Sequence, residues 1–447
     1  MRRQRQRKMV TKDNSSTLID ASENKDNLLW LAKPTIAELC DADYPGLLVF
    51  PNDIRKSDDR IGDCHVFSIE GERLITGNIM GYIGYKDTKV SIRSRFAHDN
   101  KDYFLHYMLQ KVFSFNLFDL DFNSDNELIL DFLMLMFPHF LNEAARQGLF
   151  KKYQTRQNND GNVRGQINVR RHIRYNVPFM GKIAYDTREF SFDNSITELV
   201  RHTIEYIQQL ECGKSVLNNN QETVSNVMMM RQATPRYNRH ERRLIIDANR
   251  QPLNHPYYHA YRDLQKICLC ILRYEELKYG KDDREIHGIL FDGAWLWEEY
   301  LNTILQHAGY RHPRNKDKTG RICLFNDGTG WRYPDFHKDG VVLDAKYKGY
   351  GNREVSEIDR DDLNQVISYM WIERARHGGF IFPTRVGETV ASTKTLRGYE
   401  GDLSLYGLEI DRECKAFTEY CHEMEREETR LLMELAQKTA EAVKTHP

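Results

Sequence analysis

Three side chains that could do chemistry together stand close to one another in the stretch PDFHKDGVVLDAKY. They are Asp335, Asp344 and Lys346, and the last two lie in an otherwise apolar, strand-like run. The intervening HKDG predicts a tight turn, because Asp-Gly favours the positive φ angles of a two-residue hairpin loop. Residues two apart on a strand share a face, so Asp344 and Lys346 are expected to point the same way, with Asp335 beside Asp344.

Two carboxylates that meet in a protein repel each other, and a divalent cation removes that penalty. Oxygen ligands select Mg²⁺, with Mn²⁺ as a possible substitute, and a metal-bound water can act as the nucleophile in phosphodiester hydrolysis. Lys346 would orient that water and stabilise charge on the phosphate. The competing interpretation is a surface salt bridge between Asp335 and Lys346 on an ordinary hairpin, because a bare PD…DxK pattern arises often by chance.

Side chains on two flanking helices strengthen the first interpretation. Glu298, in the amphipathic WLWEEYL, could reach the same metal if its helix packs over the sheet, and Glu299 is the alternative ligand. Gln365 and Tyr369, four apart in DDLNQVISYM, share a helix face. Gln365 would orient the phosphate or the attacking water, and Tyr369 would brace the site. Each could instead be ordinary helix surface, but the order Glu, PD, DxK, QxxxY is more specific than any single element.

The elements that must position these residues fill the last third of the chain. Their order of helix, β-meander, helix and strand is typical of a compact α/β domain, predicted over 280–410 with a helix at about 358–377. Before it, an α+β region is predicted over 28–279, β-rich to about 100 and mainly helical after. Residues 1–27 are polar and predicted to be a disordered tail, and 411–447 a charged helical tail.

The predicted N-terminal region begins with two strands in ITGNIMGYIGYKDTKVSIRSRF, joined at Lys86-Asp87. Val90 and Ile92 would form the apolar face of the second strand, and its alternate residues, which include Arg93, the basic face. Periodicity predicts helices at about 102–114, 126–147, 193–211 and 255–279.

A basic segment, KKYQTRQNNDGNVRGQINVRRHIRYN, separates two of these helices and contains a single acid, Asp160. A basic hairpin or loop of this kind suits phosphates or an acidic protein surface, and solvated charge is the alternative. The candidates for contacting DNA or a protein partner are Lys151, Lys152, Arg164, Arg170 and Arg171.

Composition excludes several classes of protein. A length of 447 residues predicts two or three domains, and a net charge of −1 means that any nucleic-acid surface is a local patch. The eight cysteines form no CxxC pair, which argues against a zinc site and favours the reducing cytoplasm. Asp131, Pro138 and His139 interrupt the apolar run LILDFLMLMFPHFL, so it predicts a buried helix rather than a membrane span.

Taken together, GILFDGAWLWEEYL, YPDF, VLDAKYK and DLNQVISYM resemble the PD-(D/E)xK nuclease domain of the McrC family. That family is the endonuclease subunit of McrBC-type, modification-dependent (5-methylcytosine) restriction systems. Three more segments, GNIMGYIGYKDTKVSIRSRF, YFLHYMLQKVF and NVRGQINVRRHI, resemble the family's N-terminal region. The resemblance covers all but about the first 30 and the last 35 residues.

The resemblance implies a Mg²⁺-dependent endonuclease acting on modified double-stranded DNA in antiviral defence. It also implies a separate AAA+ GTPase motor, McrB, expected as a hexameric ring whose hydrolysis the N-terminal region stimulates. The chain has no GxxxxGK[ST] sequence, so it is not expected to bind a nucleotide through a P-loop itself. Two alternatives stay open: a RecB-like repair nuclease, in which QxxxY also occurs, and a non-cutting adaptor that regulates an AAA+ ring.

Overall fold

The computed structural model describes a chain of two compact units. It describes residues 7–20, 23–41, 46–51, 61–98, 101–113, 125–210, 213–218, 220–278, 286–313, 320–388, 390 and 392–444. The first unit joins residues 1–122 to 282–447, and the second comprises residues 123–281. The domain boundary predicted near 280 therefore coincides with a junction between units, whereas the predicted region 28–279 is divided between them.

Strands and helices are numbered here in chain order. The strands are β1 Arg7–Lys12, β2 Ser16–Leu18, β3 Gly46–Phe50, β4 Phe67–Glu70, β5 Arg73–Thr76, β6 Ile79–Tyr85, β7 Thr88–Arg93, β8 Lys152–Asp160, β9 Gln166–Ile167, β10 Ile183–Ser191, β11 Ile286–Asp292, β12 Ile322–Cys323, β13 Trp331–Arg332, β14 Phe336–Lys338, β15 Val341–Ala345, β16 His377–Arg385, β17 Thr393–Thr395 and β18 Asp402–Asp411. The helices are α1 Lys25–Ala32, α2 Ile36–Asp41, α3 Tyr103–Phe113, α4 Asp125–Arg146, α5 Val169–Tyr175, α6 Ser195–Gln208, α7 Gly213–Leu217, α8 Gln221–Ala233, α9 Arg242–Ala248, α10 Ala260–Lys278, α11 Gly293–Leu305, α12 Arg360–Glu373 and α13 Phe417–Lys444. The helices predicted near 102–114, 126–147, 193–211, 255–279 and 358–377 are confirmed as α3, α4, α6, α10 and α12.

A five-stranded sheet in the first unit has the order β1-β7-β6-β11-β3. Its β6–β7 hairpin turns at Lys86, where φ is 52°, which confirms the two strands predicted there. Val90 and Ile92 are buried as predicted, but Arg93, predicted on a solvated basic face, is buried as well. Strand β11 pairs with both β3 and β6. The chain that leaves the second unit therefore returns to a sheet whose other strands come before that unit in the sequence.

The prediction of a disordered tail over residues 1–27 is wrong for the described part of that segment. Strand β1 pairs in parallel with β7, and β2 pairs antiparallel with β5. Met9 and Thr11, on one face of β1, are buried. Strand β1 is stabilised by pairing with the edge strand of the β6–β7 hairpin, which lies far away in the sequence. The composition of residues 1–27 does not indicate that this partner strand exists.

A second five-stranded sheet in the same unit has the order β14-β15-β16-β18-β17, with β15, β16 and β18 parallel. Helix α12 makes the crossover from β15 to β16, which confirms a mixed α/β architecture. Val342 packs with α12 residues Val366 and Met370 in one core cluster. The alternate residues of β15, Val341 and Leu343, are also buried, so both faces of this strand are covered.

The predicted charged tail over 411–447 is a helix, as expected, but it belongs to the core of the first unit. The hydroxyl of Tyr420 on α13 donates to the Ile410 carbonyl oxygen at 2.8 Å. Buried Glu428, about two turns further along α13, accepts hydrogen bonds from Tyr107 at 2.8 Å and Tyr300 at 2.9 Å. These bonds tie α13 to α3 and to α11.

The second unit is a bundle of helices α4 and α6–α10 with a three-stranded antiparallel sheet of order β8-β10-β9. The apolar run LILDFLMLMFPHFL lies in α4, and its described residues Leu133–Phe137 are buried, as predicted. Among the described helices, none combines the length and apolarity that crossing a membrane requires.

Truncation of the centre of β15 should destabilise the first unit. Leu343 is fully buried, so Leu343→Ala should lower the free energy of unfolding by about 2–5 kcal/mol. All five tryptophans lie in the first unit, so urea titration followed by tryptophan fluorescence reports its unfolding. Leu18→Ala is the control, because Leu18 is 64% exposed and should change stability by less than about 0.5 kcal/mol. Equal effects of the two substitutions would contradict the assigned core.

Candidate active site

The β14–β15 hairpin brings Asp335 and Asp344 together. Its loop is the predicted Asp339-Gly340 pair, with φ angles of 23° and 81°, and Lys338 pairs with Val341 on either side of it. In this register Asp335, which directly precedes β14, falls opposite Asp344. The Ala345 N–H donates to Asp335 Oδ2 at 2.7 Å and fixes that carboxylate beside the strand.

The pKa values of both carboxyl groups are raised. Burial raises the pKa of Asp335 well above its usual range, and the neighbouring charges of Asp344 and Glu298 raise it further. Burial also raises the pKa of Asp344, although Lys346 opposes that shift. The Asp344 side chain is 1% exposed, and its Oδ2 lies 2.8 Å from Lys346 Nζ without the angle of a hydrogen bond. A cation with less demanding geometry would satisfy that oxygen.

Lys346 is held as an ammonium ion among acceptors. Its Nζ lies 2.8 Å from Asp344 Oδ2 and 3.1 Å from Asp362 Oδ1, and it donates to Gln365 Oε1 at 3.4 Å. Burial by itself would lower the pKa of Lys346, but the carboxylates of Asp344, Asp335 and Asp362 raise it above the ordinary value. The geometry confirms that Asp344 and Lys346 share a face.

Helix α12 contributes three side chains to this cluster. Gln365 Nε2 donates to the Tyr369 hydroxyl at 2.8 Å, so these residues share a helix face as predicted. Burial raises the pKa of Tyr369 to about 12, which keeps its hydroxyl neutral. Asp362 was missed by sequence reasoning, although it lies one turn before Gln365 and the i, i+3, i+7 spacing of Asp362, Gln365 and Tyr369 could have identified it.

Glu298 is the carboxylate of α11 whose charge reaches Asp335. The start of α11 is fixed by Asp292, whose Oδ1 accepts from Ala294 N–H at 3.0 Å. Glu298 Oε1 lies 3.7 Å from His312 Nε2, and His312 Nδ1 lies 2.8 Å from the Asp335 carbonyl oxygen. His312 also stacks on Phe336. No pattern in the sequence marks this histidine, which links the helix to the hairpin.

The side chains present fit a hard divalent cation in their chemistry. They offer carboxylate oxygens from Asp335 and Asp344, one of them buried without a hydrogen bond, and Glu298 lies nearby. Within the described residues, no three His, Cys, Asp or Glu side chains already form a cluster with metal-site spacing. The ammonium of Lys346 lies where it balances the acidic charge.

The family model described as "McrBC 5-methylcytosine restriction system component" matches residues 74–383. This chain belongs to the McrBC family. The matched range includes every residue of the cluster just described, from Glu298 to Tyr369. Comparison with curated proteins finds no match.

Two solved structures are similar to this McrBC family member. One is a chain from the "Refined half-complex from tetradecameric assembly of Thermococcus gammatolerans McrB AAA+ hexamers with bound McrC", with TM-score 0.48 and 13% identity, covering 94% of this chain and 100% of that one. Another is a chain from the Thermococcus gammatolerans McrBC complex, with TM-score 0.34 and 12% identity, covering 68% of this chain and 90% of that one.

The basic candidates of the McrBC family member lie in its second unit, just before and on β8, in the loop between β8 and β9, and on α5. Lys152, Arg164 and Arg170 are exposed, whereas Lys151 lies over the ring of Phe192. Arg171 differs from them: it binds Asp186 at 2.7 Å and donates to the Tyr185 and Asn158 carbonyl oxygens. Its guanidinium therefore holds the small sheet together and is not available as a surface cation.

Proposed function

We propose that this McrBC family member is a Mg²⁺-dependent DNA endonuclease subunit with a PD-(D/E)xK core. The observation that carries the proposal is the meeting of Asp335, Asp344 and Lys346 on one hairpin, with Lys346 Nζ 2.8 Å from Asp344 Oδ2. Three carboxylates around one lysine are costly in a purely structural hairpin, because burial raises the pKa of both Asp335 and Asp344. Neighbouring acidic groups with perturbed pKa values are typical of active sites.

The roles of the residues follow from their positions. Asp335 and Asp344 would hold the metal ion, with Glu298 reaching it from α11. The ion, when bound, lowers the pKa of water and neutralises phosphate charge. Lys346, kept protonated by its acidic neighbours, would stabilise the negative charge that develops on the phosphate as a water oxygen bonds to phosphorus and the bridging oxygen leaves with a proton.

Gln365 and Tyr369 would position Lys346 rather than take part in the hydrolysis themselves. Gln365 accepts a hydrogen bond from Lys346 at 3.4 Å and donates to Tyr369 at 2.8 Å, so it sets the direction of the ammonium. Tyr369 is 4% exposed and packs in the core beneath α12. The chain of Tyr369, Gln365 and Lys346 thus connects the rigid core to the reacting group.

The test is cleavage of methylated and unmethylated plasmid DNA in Mg²⁺, in Mn²⁺ and in EDTA, with and without an AAA+ partner. Cleavage that needs the divalent ion, the methylated substrate and the partner supports the proposal. Partner-independent degradation of any DNA end would favour the RecB-like repair nuclease. Stimulation of the partner without any cleavage would favour the adaptor.

We further propose that the partner is an AAA+ GTPase ring of the McrB type and that it docks on the second unit. The support is the set of exposed apolar side chains and exposed cations carried by the segment from β8 to β10, called the hairpin surface here. Its apolar members are Tyr153, Ile167, Val169, Ile173, Tyr175, Val177, Phe179, Met180 and Phe190, each at least 48% exposed. So many large apolar side chains exposed within one short segment favour an interaction site.

Asp362→Asn tests the arrangement around Lys346. The substitution removes one of the carboxylates that hold the ammonium, so kcat for cleavage should fall about 10- to 100-fold, with little change in the KM for DNA. Asp361→Asn is the matched control, because Asp361 is exposed on the same helix. A thermal midpoint near that of the wild type would show that the fold is intact. A wild-type kcat in Asp362→Asn would exclude this positioning role.

A further inference from the structure

A cavity of about 400 Å³ lies in the first unit, beside the loop that leaves β15. Its lining includes Asn14, Asn78, Arg95, Tyr347, Lys348 and Arg353. Three of these side chains are cationic, two are amides, and none of the residues that line the cavity is acidic. Such a lining selects a small anion with several acceptor oxygens.

Arg95 is fixed in the cavity wall before any ligand arrives. Its Nε and Nη2 lie 2.9 Å and 2.6 Å from Oδ2 of Asp13, a fully buried carboxylate. Its Nη2 also donates to Asn78 Oδ1 at 2.7 Å, and its guanidinium lies 4.6 Å from the centre of the Tyr347 ring. Burial raises the pKa of Asp13 to about 6, so at pH 7 this carboxylate is largely ionised and holds the guanidinium in place.

Arg353 supplies charge that the protein does not neutralise. It is exposed, and among the described residues it has no carboxylate partner. Its guanidinium lies 5.9 Å from the centre of the Tyr350 ring, which is itself part of the cavity wall. An anion entering the cavity would therefore meet at least one uncompensated positive charge.

The cavity is connected to the candidate active site through Asp362. Lys348 Nζ lies 2.7 Å from Asp362 Oδ2, and Lys346 Nζ lies 3.1 Å from Oδ1 of the same carboxylate. The hydroxyl of Tyr350 donates to Asp362 Oδ2 at 2.6 Å. One carboxylate thus lies between a lysine of the proposed reacting centre and a lysine of the cavity wall, so the two sites are neighbours that share Asp362.

We propose that this cavity binds a backbone phosphate of the DNA strand, next to the phosphate that is cut at Asp344 and Lys346. The proposal rests on the proposed endonuclease function for the identity of the strand. Arg95, Lys348 and Arg353 bind the phosphate oxygens, the amides of Asn14 and Asn78 donate to them, and Tyr347 forms an apolar wall for the adjoining sugar. Contacts to phosphate position the strand without reading its sequence.

The test measures binding of a short duplex to the full-length protein in EDTA, where nothing is cut, over a series of salt concentrations. Arg353→Glu should weaken binding about tenfold at low salt and reduce the slope of log Kd against log salt by about one. The loss should be equal for methylated and unmethylated duplexes. Arg397→Glu is the matched control, since Arg397 is exposed in the same unit and does not line the cavity.

A second measurement separates a DNA phosphate from a free one. Inorganic phosphate should raise the thermal midpoint of the wild-type protein only slightly more than that of Arg353→Glu, because a free ion lacks the contacts that the adjoining strand supplies. A larger rise in the wild type, with DNA binding unchanged by Arg353→Glu, would assign the cavity to a free anion and overturn the proposal.

The cavity proposal and the endonuclease proposal can be refuted separately, because each predicts a different experimental result. Wild-type protein that cuts DNA, while Arg353→Glu and Arg397→Glu bind it equally well, refutes the cavity alone. Protein that binds DNA with the expected dependence on Arg353 but never cuts refutes the endonuclease alone. No binding of any duplex by the wild type at low salt overturns the cavity proposal.

Discussion

Replacement of Asp344 by asparagine is expected to reduce DNA cleavage by about 10³-fold or more. The carboxylate is 1% exposed and lies 2.8 Å from Lys346, so its loss removes a metal ligand and uncouples the lysine. The charge stabilisation that a bound metal supplies is worth several kcal/mol, and about 4 kcal/mol corresponds to this factor. Asp335 and Asp362 still surround Lys346, so the fold should persist. The measurement is plasmid nicking at saturating Mg²⁺ with the partner present.

The control for Asp344→Asn is Asp339→Asn, the same chemical change at the turn of the same hairpin. Asp339 is exposed, and asparagine tolerates its positive φ of 23°. Asp339→Asn should therefore cut at the wild-type rate. Equal rates for Asp344→Asn and the wild type would remove the proposed site, whatever the behaviour of the control.

Thermal stability gives a readout of the same site that does not depend on cleavage. The raised pKa of Asp335 means that the folded protein holds this proton more tightly than the unfolded chain does. The stability that this bound proton contributes is therefore present at low pH, and it is lost as the pH rises above 3.8, the ordinary pKa of an aspartate. In EDTA at neutral pH, Asp335→Asn should raise the thermal midpoint by roughly 2–4 °C. Mg²⁺ should stabilise the wild type and leave Asp335→Asn unchanged. A lower midpoint for Asp335→Asn in EDTA would contradict the repulsion between the carboxylates.

The centre of the candidate site could be predicted because its determinants are local. The Asp339-Gly340 turn sets the hairpin register, and that register places Asp335 beside Asp344. Helical spacing in the same way places Gln365 beside Tyr369. Such relations depend on backbone periods of two and 3.6 residues, which a sequence displays directly.

The parts that sequence reasoning missed depend on long-range pairing. Strand β1 forms only because β7 offers it an edge, and β11 joins a sheet whose other strands precede the second unit. His312 lies in a loop, and only the folded chain places it between Glu298 and Asp335. Because β11 leads directly into α11, the predicted nuclease region 280–410 depends on residues before position 100 for the sheet that anchors Glu298.

The structure also changes which basic residues can be tested at the hairpin surface. Arg171 was grouped with Arg164 and Arg170 by sequence, but its bonds to Asp186 and two carbonyl oxygens make it part of the small sheet. Reversing its charge would disrupt the surface rather than probe it. Arg174 is exposed on α5 and replaces Arg171 in the set.

Reversal of Arg164, Arg170 and Arg174 to glutamate is expected to reduce stimulation of the partner's GTP hydrolysis at least tenfold. The same segment carries exposed apolar side chains such as Phe179 and Met180, so the contact would combine steering by charge with burial of apolar area. The effect of the reversal should shrink as salt rises, because exposed charges are screened within about 10 Å at 0.1 M.

The matched control for this triple variant reverses Arg236, Arg239 and Arg243, which are exposed elsewhere in the same unit and give the same net charge.

Removal of the apolar part by Phe179→Ser and Met180→Ser should also reduce stimulation, but that loss should persist at high salt, because burial of apolar area does not depend on screening. The proposed metal site lies in the first unit. Mg²⁺ should therefore raise the thermal midpoint of the arginine triple variant and of the Phe179/Met180 double variant as it does for the wild type. Full stimulation by both the arginine triple variant and the Phe179/Met180 double variant at low salt would show that the partner does not dock on the hairpin surface. Loss of stimulation by the control as well would show that net charge, and not this surface, governs the association.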